Sequence, residues 1–309
     1  MKIFNIFRKS DKNIKSFKKV FVIINPAAGQ KRKERFIAIL ENFFKKLGIE
    51  YSYYITKGPG EATLKAKEAA KNGYDLILGA GGDGTINEIV NGIMDEDVVL
   101  GIIPLGTVNI LSMELGIEQN ISRALSLVKN GKIFKMDVGV VNDKYFLLMV
   151  GAGFDSYAIY RVNLKLKKYV GVLAYLFAGI YSLFKYKPKK IMVNIDNHRI
   201  DEIGYFVIVE NVDSYGGKFK VAPYAKFNDK LLDVCVFKKY SLWDSFRYFI
   251  GVALNRHLNF PDVRYYQCKT VSLSSTENVL VHSDGDLTYS LPVDIKIAKR
   301  QLKILRPDV

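Results

Sequence analysis

LILGAGGDGTINEIVNGI, residues 76–93, sets the reading of the whole chain. Leu76–Leu78 is a short apolar run of strand character, Gly79–Thr85 is a glycine-rich turn, and Ile86–Met94 has helical apolar spacing. The sequence around it repeats this alternation. Val20–Ile24 predicts a buried strand that Asn25–Gly29 (NPAAG) ends. Lys31–Leu47 predicts a helix with apolar positions at Phe36, Ile39, Leu40, Phe43 and Leu47, closed by Gly48. Tyr51–Ile55 predicts a second strand, Glu61–Asn72 a second helix and Val98–Ile103 a further strand. Strands alternating with helices through short connections predict an α/β doubly wound parallel sheet.

After a helix around Ile121–Lys129 the pattern changes to strands, among them Lys135–Val141, Lys144–Val150, Tyr205–Glu210, Leu231–Phe237 and Cys268–Ser274. Helical stretches interrupt at Phe154–Tyr186 and Leu242–Leu258. The expected organisation is a basic leader over 1–18, an α/β parallel-sheet domain over 19–135 and a β-rich, sandwich-like domain over 136–297. Residues 298–309 are expected to return to the first domain.

The chain has 309 residues and a formal charge of +15, with 49% hydrophobic and 25% charged residues, an ordinary globular composition. The charge is localised. Residues 1–20 hold seven basic groups and one acid, residues 161–190 hold eight basic groups and no acid, and the rest is nearly neutral. Two cationic patches on a neutral body fit an anionic membrane surface better than nucleic acid. Two distant cysteines, Cys235 and Cys268, and no signal-peptide pattern point to the cytoplasm. The longest apolar stretch, Tyr169–Phe184, is short for a membrane span of about 20 residues.

Three small-residue turns emerge at strand ends: Asn25-Pro26-Ala27-Ala28-Gly29, Gly81-Gly82-Asp83-Gly84-Thr85, and Pro104–Asn109 with Thr107. In an open parallel sheet these carboxyl-terminal ends are where ligands bind. Glycines let backbone N–H groups approach phosphate oxygens, and a helix N-terminus favours the anion. Asp83 repels a phosphate, so it suits a Mg²⁺ or water partner or an orienting acceptor. Thr85 and Asn87 add donors, and Thr56 is a fourth candidate at that edge. Neither a Walker A nor a GxGxxG pattern is present.

VFVIINPAAG, GAGGDGTINEIVNGI, GIIPLGTVNILSMELGI, GAGFDSYAI, GGKFKVAPYAKFNDKLLDV and SDGDLTYSLPVDIKI together resemble the diacylglycerol-kinase-type lipid kinases, a family that includes bacterial lipid kinases and the sphingosine and ceramide kinases. The resemblance spans about residues 18–305 and implies ATP-dependent phosphorylation of a lipid hydroxyl, with diacylglycerol the default acceptor. Sphingoid bases and phosphatidylglycerol fit the same residues.

Carried over, the nucleotide site comprises Asn25, Pro26, Ala27, Ala28, Gly29, Thr56, Gly81, Gly82, Asp83, Gly84, Thr85, Ile86, Asn87 and Thr107. A structural Mg²⁺ is implied at the Asp229 carboxylate with the Lys226 and Leu231 carbonyls. The general base corresponds to Asp286, where the family's usual residue is Glu; Asp284 is its rival and Asp83 assists. Ile110 stands where many members have Asp.

The implied partners are a lipid substrate and an anionic membrane surface, not nucleic acid, and a homodimer is compatible. The implied location is cytoplasmic and peripheral to the membrane. Ile3, Phe4, Ile6, Phe7, Ile14 and Phe17 lie among the leader's seven basic residues, which fits either a short amphipathic interfacial helix or a disordered basic leader. Lys165, Lys167, Lys168, Lys185, Lys187, Lys189 and Lys190 flank Tyr169–Phe184, which reads as a core helix with part of it open as a lipid entrance. Two alternatives remain open: an NAD kinase, from the shared GGDGT turn, and a turnover-deficient, nucleotide-dependent membrane-binding protein, from the Asp286 and Ile110 departures.

Overall fold

A computed structural model describes residues 17–26, 33–154, 156–157, 187–215 and 219–308. The leader through residue 16, Ala27–Gly29, and the cationic, apolar segment with Lys165, Lys167, Lys168, Tyr169–Phe184 and Lys185 lie outside them. The fold is α/β, a parallel-sheet domain followed by an antiparallel β-rich one.

The first sheet has six strands in the order β2-β1-β3-β4-β18-β5. They are β1 (Lys19–Ile24), β2 (Glu50–Ile55), β3 (Leu76–Gly81), β4 (Val99–Pro104), β5 (Lys132–Met136) and β18 (Leu302–Arg306). Neighbours pair in parallel except β18 with β5. β1 lies between β2 and β3, so the chain reverses its winding there and opens a crevice at the ends of β1 and β3. Helices α1 (Lys33–Leu47), α2 (Glu61–Lys71), α3 (Asp83–Ile93), α4 (Ile110–Glu114) and α5 (Ile121–Asn130) connect these strands. On α1 the inward stripe is Phe36, Leu40 and Phe44, spaced four apart. Phe17, expected among the apolar residues of the leader, is instead buried in the same core, and Lys18 N–H donates to Asp75, because both pack against the start of the first sheet.

The second domain is a sandwich of two antiparallel sheets. One holds β6 (Gly139–Val141), β7 (Lys144–Phe146), β9 (Ile191–Ile195), β10 (Ile200–Gly204), β14 (Thr270–Ser274) and β17 (Val293–Ile297). The other holds β8 (Met149–Ala152), β11 (Phe206–Glu210), β12 (Leu232–Phe237), β13 (Val263–Cys268), β15 (Leu280–Ser283) and β16 (Asp286–Ser290). Alternate residues such as Val193, Ile195, Leu273 and Ile295 meet Val207, Val209, Val234 and Val281 in the core between them. Helix α6 (Leu242–Ala253) lies over the outer face of the second sheet, against Ile208, Cys235 and Phe237.

Three runs that read as single strands are each divided, and an aspartate stands at every division. Lys135–Val141 leaves the first sheet at Asp137, whose carboxylate accepts N–H from Lys230 at 2.6 Å and the Gln301 amide at 2.8 Å. Lys144–Val150 changes sheet at Leu147 and Leu148, whose amides donate to Asp284. Cys268–Ser274 changes sheet at Lys269, where Asp196 accepts the Lys269 and Thr270 amides. At the second and third corners the turning amides bond a carboxylate, and at the first Asp137 N–H donates to Phe227 O, so these donors need no neighbouring strand.

Candidate active site

The crevice between β1 and β3 is closed by side chains of its two turns. The Asn25 amide donates to the Thr85 hydroxyl at 2.8 Å, and Asn25 N–H donates to Ala80 O at 2.9 Å. Thr56 is buried at the end of β2, its N–H on Ile24 O at 2.9 Å. Thr85 is buried under Gly81. Asn25, Thr56 and Thr85 therefore meet at one edge, with Pro26 beside them in the turn. Gly84 is exposed on the first turn of α3, and Gly82 caps it in an extended conformation.

The second and third glycine turns are locked together. Leu105 N–H donates to Gly81 O at 3.0 Å. A Cβ on Gly106 would stand 2.7 Å from the Gly82 Cα, so two main chains pass where no side chain fits. Both Asp83 oxygens face α4: Oδ2 accepts from Ile110 N–H at 3.0 Å and Oδ1 from Leu111 N–H at 3.1 Å. Burial raises the Asp83 carboxyl above its ordinary value, and these amides oppose the rise. The Ile110 position contributes a main-chain donor to this junction, while its side chain packs on the core. Asn109, at φ 55°, turns the chain into α4 and bonds Gly106 from both ends of its amide. Thr107 is exposed on the loop between them, and Ile86 is buried below.

The acidic motif forms a hairpin. Asp284 and Gly285 both have positive φ, 51° and 85°, as a two-residue type I′ turn requires. The Asp284 carboxylate accepts from four donors: Leu147 N–H at 2.7 Å, Leu148 N–H at 2.8 Å, Met149 N–H at 3.0 Å and the Asn87 amide at 2.7 Å. Burial raises its pKa and the four donors pull it down. Asn87 also donates to Tyr145 O, and Asn91, one turn along α3, bonds both the N–H and the carbonyl of Tyr145. The helix that starts with the glycine turn is thus bolted to the acid hairpin of the other domain. Asp286 opens β16 opposite Ser283, exposed, two positions from this anchor.

Leu147, Leu148, Met149 and Val212 of the sandwich share one apolar core with Ile86, Ile89, Leu111 and Leu115, so the junction is packed as well as hydrogen-bonded.

Lys226, Asp229 and Leu231 lie together in one loop, where Asp229 Oδ1 accepts from Leu231 N–H at 3.0 Å. Phe227 O and Lys230 N–H tie that loop to Asp137. An acid buried in an otherwise apolar strand run was the sequence signal for Asp137, which motif reading passes over. Glu114 on α4 is likewise passed over by motif reading. It bonds Asp213 and Ser214 of the loop after β11, and burial and Asp213 together raise its pKa. Lys220 pairs with Asp213 at 2.5 Å.

Residues 19–141 match the diacylglycerol kinase catalytic domain, and residues 148–306 match the YegS C-terminal NAD kinase beta sandwich-like domain. A curated diacylglycerol kinase of Bacillus subtilis (strain 168) is 33% identical over 94% of this chain and 97% of its own length. Another, from Staphylococcus haemolyticus, is 30% identical over 93% of this chain and 87% of its own. A crystal structure of a diacylglycerol kinase from Bacillus anthracis superposes with a TM-score of 0.76 at 27% identity, over 94% of this chain and 98% of that one. With one fold, one order of motifs and nearly the full length in common, the chain belongs to the diacylglycerol kinase family and is a lipid kinase.

Proposed function

We propose that this kinase transfers the terminal phosphoryl group of ATP to a hydroxyl of a membrane lipid, with diacylglycerol as acceptor and phosphatidic acid as product. The observation that carries the assignment is the Asn87–Asp284 contact at 2.7 Å, which ties a phosphate-cradling helix start to an acidic hairpin 197 residues away. Phosphoryl transfer needs alignment and charge neutralisation more than covalent chemistry, and such a rigid junction supports alignment.

The glycine turn suits a triphosphate. Its side chains Asp83, Thr85 and Asn87 face inward to hold the frame, which leaves the main chain at Gly82–Gly84 to meet the anion. Asn25, Pro26, Thr56 and Thr107 complete the proposed nucleotide edge, to which the sequence resemblance adds Ala27, Ala28 and Gly29. ATP with Mg²⁺ supplies the phosphoryl group and neutralises charge as it develops. Asp229 with the Lys226 and Leu231 carbonyls is an all-oxygen set of the kind Mg²⁺ takes, and we assign that ion a structural role. Among the described residues no three His, Cys, Asp or Glu gather as a metal-binding group, so this set rests on one carboxylate and two main-chain carbonyls.

Asp286 is the proposed base for the lipid hydroxyl. Its exposure lets it meet a substrate, and the Asp284 anchor fixes its position. Asp284, enclosed by four donors, orients the hairpin. Among the described residues no helix is long and apolar enough to cross a membrane, so we place the enzyme on the bilayer surface, held there by its cationic segments.

The test is transfer of labelled phosphate from ATP to a panel of lipids in mixed micelles. Diacylglycerol is expected to be the best acceptor. Absence of label in every lipid would overturn the assignment; preference for a sphingoid base or phosphatidylglycerol would replace the acceptor.

A further inference from the structure

Helix α6 presents an outward face that nothing in the lipid-kinase assignment uses. Its exposed large side chains are Leu242, Trp243, Phe246, Phe249, Ile250 and Leu254, and the remaining exposed position on the helix is Ala253. Trp243 is 71% exposed, Leu254 61% and Phe246 51%. The polar groups of the helix are engaged elsewhere. Ser241 and Asp244 form a capping box at its start, and Arg247 reaches inward to Asp244 and Asp262. Tyr248 and Gly251 face the sheet, with the Tyr248 hydroxyl on Asp262 at 2.5 Å. A helix apolar on its packed side and on its outer side has a second surface to cover, because contiguous exposed patches of this kind mark interaction sites.

We propose that this face of α6 inserts into the headgroup region of an anionic bilayer. Charge selects the occupant. Lys239 before the helix and Arg256 after it are exposed at the two ends of the stripe. The nearby acids are all paired: Glu202 with Lys238 and Arg264, and Asp244 and Asp262 with the Arg247 they share. The stripe is therefore apolar and framed by positive charge. A second copy of the chain fits poorly. Across a two-fold axis, antiparallel helices set Lys239 against the partner copy's arginine end, and parallel helices set each cation against itself. Anionic headgroups complement both ends at once, and Trp and Phe are the side chains that settle at a membrane interface. A groove of about 340 Å³ beside the stripe, lined by Trp243, Ile250, Leu254 and Arg256, offers an acyl chain apolar walls and a phosphate a guanidinium. The choice of a bilayer rests on the lipid-kinase assignment; the stripe itself does not.

Trp243 is the single tryptophan of the chain, so its emission reports on this face directly. The full-length protein is titrated with vesicles of phosphatidylcholine containing phosphatidylglycerol, with and without brominated acyl chains. The emission is expected to shift to the blue on binding, to be quenched by the brominated lipid, and to respond less at high salt. Phe246→Ser with Phe249→Ser should weaken vesicle binding by at least about tenfold, since each ring forfeits apolar burial. Phosphorylation of a water-soluble short-chain diacylglycerol should be unchanged. An emission that ignores vesicles overturns the proposal. So does an emission already blue in buffer, from a dimer that the double variant dissociates. If vesicles shift Trp243 but no lipid is phosphorylated, the kinase assignment fails and the docking face stands; phosphorylation without any vesicle response fails the docking face alone.

Discussion

Asp284 and Asp286 stand two positions apart in one hairpin, and their surroundings are opposite, in keeping with the separate roles proposed for them. Four donors close around Asp284, whereas Asp286 is exposed at the start of β16. Asp286→Asn should lower kcat by a factor on the order of 10² or more while leaving the melting temperature unchanged. Asp284→Asn places an NH₂ group among donors, and it should cost about 1–3 kcal/mol of stability in urea unfolding as well as activity. A second residue-scale prediction concerns Glu114. Its carboxyl lies above the ordinary 4.5 because burial and Asp213 disfavour the charge. Between 4.5 and the raised value the native state binds more protons than the unfolded one, so this contribution to stability falls as pH rises through that window. Urea midpoints measured from about pH 4 to pH 8 should show a flatter slope for Glu114→Gln than for the parent.

At the scale of elements, the glycine turns illustrate two uses of one residue type. Gly106 lies where its Cβ would meet the Gly82 Cα at 2.7 Å and the Asn109 side chain at 2.6 Å. Gly106→Ala should push the turns after β3 and β4 apart and cost about 1–3 kcal/mol. Gly84, exposed on the first turn of α3, has nothing within 4 Å of such a Cβ. Gly84→Ala should change stability by less than about 0.5 kcal/mol. It should nonetheless weaken ATP binding in a calorimetric titration, because the methyl group would stand in the proposed path of the phosphate. Equal losses of stability in the two variants would contradict this division. The same element-scale view accounts for the strands that sequence reading ran together. Lys135–Val141, Lys144–Val150 and Cys268–Ser274 each keep apolar character through the corner, so periodicity cannot mark it. The corner is made by Asp137, Asp284 and Asp196, and two of these carboxylates arrive from segments more than 70 residues away.

For the whole molecule the decisive contacts are those between domains. Asn87 and Asn91 on α3 bond Tyr145, and Asn87 bonds Asp284. Asn87→Ala removes that bolt and leaves the Asp284 carboxylate one donor short. Such a variant should lose kcat with lipid by tenfold or more, about 1.4 kcal/mol in the barrier, while its affinity for ATP stays within about threefold. An equal loss in both would mean that Asn87 serves the nucleotide directly. The shared core of Leu147, Leu148 and Met149 with Ile86, Ile89 and Leu111 holds the cleft in one geometry.

Periodicity, turn chemistry and the order of six motifs determined the α/β class, the strand ends that carry the glycine turns and the kinase family, because each is written in residues near one another along the chain. The corners, the inward direction of Asp83, Thr85 and Asn87, the separation of Asp284 from Asp286, and the places of Asp137 and Glu114 were decided only in three dimensions. In every one of these cases the deciding partner lies far away in sequence. A carboxylate's task depends on which donors reach it, and only the packed chain brings those donors there.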